Sequence, residues 1–135
     1  MLGVGATQGR QLAFVSNEAS RDVSVIDLRT LKTVKRVPTG ERPRGIQASP
    51  DGKRVYVALS DDHPQQASGR DAIVAIDTRT LTIVQRLPGG TDPEQFAVLP
   101  NGRAIYATNE DAGTASAVNL ATGKVLATLV VGIEP

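Results

Sequence analysis

The sequence predicts an all-β fold: about three four-stranded antiparallel units in a row, each built on a repeat of 42 residues. Two observations carry this. The first is a set of landmarks that recur along the chain. Phe14, Tyr56 and Tyr106 are separated by 42 and then 50 residues. Asp27, Asp77 and Asn119 are separated by 50 and then 42, as are Pro43, Pro93 and Pro135, and Gly40, Gly90 and Gly132. The second is that short runs rich in β-branched or aromatic residues lie between the landmarks, with tight-turn signals separating them. Four short strands in 42 residues is the arithmetic of a β-propeller blade, and three blades make an open, partial propeller unless other blades or chains complete it.

Residues 1–9, MLGVGATQG, carry none of the landmarks. They lack the basic n-region and sustained apolar run of a secretory signal, and they are expected to be a leader segment or its remnant. A partial blade follows at 10–42, then a blade at 43–92, a blade at 93–132, and the start of a further blade at 133–135. About eleven strands are expected, beginning with the second strand of a blade. From aromatic to acidic landmark the first and third units take 13 steps and the second takes 21. The second unit therefore holds an eight-residue insertion within 61–71 (DDHPQQASGRD), whose polarity, Pro64 and Gly69 suit a surface loop.

Within the second unit the expected strands are RGIQAS from Arg44, RVYVAL from Arg54, AIVAI from Ala72 and TIVQRL from Thr82. Pro50-Asp51-Gly52 and Pro100-Asn101-Gly102 are tight turns. Asp27 and Asp77 each precede Arg-Thr-Leu, where a carboxylate can accept backbone N–H bonds and close the next turn. The run after each corner proline is small (Gly45, Ala48, Ala97), as a crowded channel wall requires. The last run of each unit holds the basic residues Lys32, Lys35, Arg36, Arg86 and Lys124, which suits an outermost strand with a solvent edge. The middle runs are apolar on both faces, as in a sheet sandwiched between neighbours. No window keeps a helical period, so a helical solenoid fits poorly.

Composition excludes several function classes. A net charge of +1 and four aromatic residues give no footprint for nucleic acid. The chain has no cysteine, which removes disulfides, thiolate metal sites and cysteine catalysis. The apolar stretch from Val125 to Val131 is too short to span a bilayer as a helix.

The units VSVIDLRTLKTVKRVPTGERPRGIQASPDGKRVYVA and IVAIDTRTLTIVQRLPGGTDPEQFAVLPNGRAIYATNE closely resemble the YVTN-type β-propeller repeat. The resemblance runs from about Gln11 onward and rests on a V-x-V-I-D run, then P-x-G, S-P-D-G and V-Y-V. The segments DPEQF and NED are most similar to bacterial propellers associated with pyrroloquinoline-quinone-dependent catabolism. The resemblance implies a seven-bladed ring used for binding, periplasmic or at the cell surface, among relatives that include surface-layer proteins and nitrite reductase propeller domains.

Three groups of residues are candidates for chemistry. Arg42, Arg44, Glu94, Gln95 and Glu134 flank the corner prolines, where propellers open their channel; convergent polar groups there could hold a small ligand or a peptide, and would equally serve salt bridges between blades. His63, the single histidine, follows Asp61 and Asp62 in the insertion, a weak metal set because zinc draws three or four ligands from separated positions. Asn109, Glu110 and Asp111 are expected in a loop, where they resemble part of a calcium ladder and equally suit turn hydrogen bonding. No Ser-His-Asp set and no phosphate-binding glycine loop is present, so the expected reading is a non-catalytic binding or scaffolding module without a cofactor, accessory to periplasmic quinoprotein oxidation. The alternative is a fragment of a lactonase-like or reductase-like propeller enzyme whose site needs further blades. Open sheet edges predict self-association, or completion by missing blades of the same ring, with a protein or small molecule as ligand and neither nucleic acid nor a membrane span.

Overall fold

A computed structural model of the chain describes residues 1–7, 9–62 and 69–135. The first sheet contains β1 (Leu2–Thr7), β2 (Arg10–Asn17), β3 (Asp22–Asp27) and β4 (Lys32–Pro38). The second contains β5 (Arg42–Ala48), β6 (Arg54–Ser60), β7 (Ala72–Asp77) and β8 (Thr82–Pro88). The third contains β9 (Pro93–Val98), β10 (Ala104–Asn109), β11 (Thr114–Asn119) and β12 (Val125–Val130). Each sheet is an antiparallel meander in chain order, which is the partial propeller that the repeat predicts. No helix among the described residues is long and apolar enough to cross a membrane.

One strand was not expected. Residues Leu2–Thr7, read from the sequence as a leader segment, pair with β2 from Leu2↔Val15 to Thr7↔Arg10 and give the first sheet its fourth strand. Backbone pairing explains this: the segment needs only free N–H and C=O groups to extend the ladder, and two glycines do not prevent it. The chain thus forms twelve strands among the described residues.

The turns follow from their sequences. Asp27 Oδ1 accepts the N–H groups of Arg29 and Thr30, Asp77 Oδ1 those of Arg79 and Thr80, and Asn119 Oδ1 those of Ala121 and Thr122, all at 2.8–3.1 Å. In Ser49–Lys53 the Gly52 N–H closes on Ser49 O at 2.9 Å, and Asp51 Oδ1 accepts from Lys53 N at 3.0 Å. The same closure recurs in Leu99–Arg103, with Gly102 N on Leu99 O at 2.8 Å.

The cores lie between sheets. Leu12, Phe14, Val23, Val25 and Val37 of the first sheet meet Ile46, Val55, Val57, Leu59, Val74 and Ile76 of the second. The opposite face of the second sheet, with Tyr56, Ile73, Ala75 and Leu87, meets Val98, Ile105, Ala107, Val118 and Leu120 of the third. Alternate residues of β6 and β7 therefore serve two different cores, which is why these runs are apolar throughout. The outer strands β4, β8 and β12 are mostly exposed; β4 and β8 carry Lys32, Lys35, Arg36 and Arg86, and Lys124 stands just before β12.

The acidic turn landmark gives a test. Asp77 also pairs with Arg54 at 2.5 Å, and its carboxyl is held below the usual range, chiefly by the Thr80 N–H. Asp77→Ala is expected to cost about 1–2 kcal/mol, while Asp77→Asn costs less, because Asn119 does the same work in the third sheet. A carboxyl whose value is depressed by folding stabilises above its unfolded value of 3.8, and that contribution is lost as pH falls through the lower folded value. Urea unfolding at neutral pH and at successively lower pH checks both points: Asp77→Asn should weaken the acid dependence, and equal losses for Ala and Asn would contradict the capping role.

Candidate functional site

The inner strands β5 and β9 approach closely because Gly45 lacks a side chain. A Cβ at Gly45 would stand 2.7 Å from the Glu94 carbonyl oxygen and 2.9 Å from Gln95 Oε1. Gln47 Oε1 accepts the Val98 N–H at 3.0 Å, a further link between the two strands. This contact sets Arg44 on β5 beside Glu94 on β9, and the two are ion-paired. Arg42 NH2 lies 3.8 Å from Asp92 Oδ1, and Arg42 NH1 donates to Glu18 Oε1 at 2.9 Å. Arg44 NH1 is 3.5 Å from the same Glu18 oxygen. Arg42 and Asp92 hold equivalent places in successive units, as do Arg44 and Glu94.

A cluster of carboxylates sits against these arginines. One oxygen each of Asp92, Glu94 and Glu110 lies within 4.8 Å of the others. Asp92 is buried, while Glu94 and Glu110 are half-buried. Asp92 Oδ1 and Glu94 Oε1 are buried without a hydrogen bond, although each faces an arginine as an ion pair. The Glu110 carboxyl is pushed up, first by its hydrogen bond to Glu94, then by desolvation and by the charges of Glu94 and Asp92. Asp111, beside it, is raised by desolvation and by Asp92 and Asp71. Glu110 is thus held neutral to higher pH than an isolated carboxyl. The cluster could also receive a hard cation through its oxygens, in competition with the two guanidinium groups.

The base of the insertion braces this corner. Asp71 Oδ1 accepts the Asp61 N–H at 2.8 Å and Asp71 Oδ2 accepts the Asp92 N–H at 3.2 Å. Arg42 NH2 donates to Asp61 O at 3.0 Å, and Arg70 NH2 stands 3.4 Å from Asp61 Oδ2. Asp62 pairs with Arg21 and lies 3.6 Å from Arg42 Nε. A shallow cavity of about 340 Å³ is lined by Glu18, Ala19, Arg21, Arg42 and Asp62.

Arg42, Arg44 and Glu94 of the expected channel-mouth set come together here. Gln95 is exposed and lies over Gly45, tied to Thr108 through its backbone. Glu134 is exposed and, among the described residues, joins none of these ion pairs. His63 lies outside the described residues; its neighbours Asp61 and Asp62 are engaged with arginines, and Asp61 is buried. Asn109, expected in a loop, is the last residue of β10 and is buried, with Nδ2 donating to Thr114 and Ser116 at 3.0 Å. Asp92, Glu110 and Asp71 were not singled out as channel-mouth residues. Their signal was available in part, since the DPEQF and NED segments are residues 92–96 and 109–111, the two pieces that build the cluster.

The class is now defined: a β-propeller with an acidic and arginine-rich cluster where its inner strands meet. The family described as lactonase, 7-bladed β-propeller, matches residues 6–130, and the chain belongs to that family. Antigen Lp49 of Leptospira interrogans (serogroup Icterohaemorrhagiae serovar copenhageni, strain Fiocruz L1-130) is 37% identical over 60 residues, which is 44% of this chain and 13% of the relative. Hydrazine synthase of Kuenenia stuttgartiensis superposes with a TM-score of 0.77 at 27% identity, over 96% of this chain and 37% of that one. Dihydro-heme d1 dehydrogenase NirN, in complex with DHE, gives a TM-score of 0.78 at 19% identity, over 96% of this chain and 27% of that one. A candidate 6-phosphogluconolactonase of Bacteroides fragilis gives 0.75 at 21% identity, over 97% and 38%. The chain therefore spans less than two-fifths of each of these proteins. At 19% and 21% identity the likeness shows the fold alone. The expectation of a non-catalytic module is corrected by the family, which is named for an enzyme, and by the likeness at 27% identity to part of hydrazine synthase. Missing histidines misled the sequence reading, because acid–base work can be done by carboxylates whose values are shifted by their neighbours.

The acid pair can be tested directly. Glu94→Gln removes the charge beside Glu110, so the Glu110 value should fall back toward 4.5. Carboxyl carbon NMR titration of the two proteins reads the shift; an unchanged Glu110 titration would remove the pair from the site.

Proposed function

We propose that this chain contributes three blades, and part of the active site, to a seven-bladed propeller that hydrolyses a lactone. The observation that carries the reading is the Glu94–Glu110 pair set against Arg42 and Arg44, in a chain of the lactonase family. Glu110, once ionised, accepts a proton from water as that water attacks the lactone carbonyl carbon. The carbonyl π electrons move onto oxygen, and a guanidinium of Arg42 or Arg44 stabilises the oxyanion. When the tetrahedral intermediate collapses, the ring C–O bond breaks. The departing alkoxide takes the proton from Glu110, giving a hydroxy acid. The arginines also favour a substrate that carries a carboxylate or phosphate.

The repeat pattern supports a YVTN-type reading within this family, and with it a periplasmic or cell-surface location. The segments similar to quinoprotein-associated propellers are those that form the carboxylate cluster, which supports a place for the reaction beside such oxidations.

The test is a pH-stat assay on the purified seven-bladed protein that contains these three blades, with sugar lactones, neutral and phosphorylated. Hydrolysis above the spontaneous rate is expected, rising with pH as Glu110 ionises through its raised value. Glu110→Gln should lower kcat by about 10²–10⁴-fold. Wild-type rates at the spontaneous level on every lactone would overturn the proposal.

A further inference from the structure

Asn17, Leu59 and Asn109 hold one place in the three sheets, near the end of β2, β6 and β10. In the first sheet Asn17 donates to Asp22 and Ser24, and Arg36, opposite Ser24 in the ladder, reaches Asp22 at 3.3 Å. In the second sheet Leu59, Ala72 and Val74 fill the place and are buried, while Arg86, opposite Val74, donates to the Arg70 carbonyl. In the third sheet the equivalents of these residues are Asn109, Thr114, Ser116 and Thr128. The arginine is gone, and every side chain that replaces its surroundings is short.

A cavity of about 300 Å³ stands there, between the β8–β9 connection and the outer part of the third sheet. Its polar side is made by Asn109, Thr114, Ser116 and Thr128, and Pro88 and Val125 supply apolar surface. Asn109 is 1% exposed, and its Oδ1 has no hydrogen-bond partner. Gly90 stands beside that oxygen, and a Cβ there would overlap it. Asn109 Nδ2 is spent on Thr114 and Ser116, so the amide can only accept a further bond, and Ser116 Oγ lies 3.1 Å from Thr128 Oγ1. This is the face of the third sheet that meets the second. Both walls therefore belong to this chain, and a further blade of a seven-bladed ring meets the opposite face.

We propose that this cavity binds a neutral polyol of monosaccharide size. No charged side chain lines it, so an ion would lose its water without gaining a counter-charge. A purely apolar molecule would leave the buried Asn109 oxygen unpaired. A polyol answers both conditions. One hydroxyl donates to Asn109 Oδ1, its neighbours exchange bonds with the Thr114 and Thr128 hydroxyls, and its C–H face lies on Pro88 and Val125. The proposal does not rest on the lactone reading: the cavity is separate from the Glu94–Glu110 pair and shares no residue with it.

The test is a titration of the Asn109 side-chain amide by NMR, in the seven-bladed protein that contains these blades. The probes are myo-inositol and methyl α-D-glucopyranoside, neither of which can form a lactone; gluconate, of similar size but charged, is the counter-probe. At least one neutral probe should shift the amide saturably in the millimolar range or below, and gluconate should not. Thr128→Arg restores the residue found at this place in the other two sheets and should weaken binding by about tenfold or more. Asn109→Leu with Ser116→Val copies the second sheet, and ligand-detected saturation transfer should show the same loss. Circular dichroism reports whether each variant keeps its sheets, and Thr128→Val replaces either one that does not. An Asn109 amide unmoved by both neutral probes would mean that the cavity holds water alone and would overturn the proposal. So would an equal response to gluconate, or binding that survives the substitutions.

Discussion

Sheet-on-sheet packing at the inner strands is the constraint on which this structure depends. A four-stranded meander of six- to eight-residue strands cannot bury enough apolar surface alone. The second sheet solves this by giving both faces away, one to each neighbour. The inner strands must then approach closely, and Gly45 is what lets β5 reach β9, since any side chain there would strike the Glu94 backbone. The same approach brings Arg44 to Glu94, so the packing of the apolar cores and the electrostatics of the cluster are set by one contact.

Polar fixtures inside the sheets show how far the repeat can vary without losing its geometry. In the first sheet Asn17 Nδ2 donates to Asp22 at 2.6 Å and to Ser24 at 2.8 Å. In the third sheet Asn109 makes the equivalent bonds to Thr114 and Ser116. In the second sheet the Asn and Ser positions are Leu59 and Val74, both buried in the first core. Replacing both partners of a buried hydrogen bond with apolar groups is nearly neutral, whereas replacing one leaves an orphan. The paired change fits a sheet buried on both sides. Even in the third sheet the balance is incomplete, for Asn109 Oδ1 has no hydrogen-bond partner.

Much of this was legible in the sequence because turn chemistry and alternation act locally. Asp27, Asp77 and Asn119 announce their turns, and Pro50-Asp51-Gly52 announces its hairpin, through bonds spanning two to five residues. The strands of the second unit lie within two residues of their expected bounds. Leu2–Thr7 was missed because it has no landmark, and its ladder partner must be known before it reads as a strand. At the site, Arg42, Arg44 and Glu94 were legible from the corner prolines. Glu110 was placed in a loop group, because its approach to Glu94 depends on how β10 ends beside the start of β9. Asp71 gave no signal at all: its work is to join the Asp61 and Asp92 backbones, which lie 31 residues apart.

The electrostatics of the cluster follow from broken repeat symmetry. Identical repeats would put like charges side by side at equivalent positions of successive inner strands, at a cost that rises as the strands close in. Here Arg42 is answered by Asp92 and Arg44 by Glu94, so two positions alternate in sign across the junction of the second and third sheets. Glu18 and Glu110 are equivalent in turn, but their surroundings differ. Glu18, in the turn after β2, is ion-paired with Arg42 and Arg44. Glu110 faces Glu94 and Asp92 instead, and its carboxyl is raised. One repeat position thus yields a plain ion pair at one junction and a carboxyl with a raised value at the next. The fold supplies the same place each time, and the neighbouring sheet decides its chemistry.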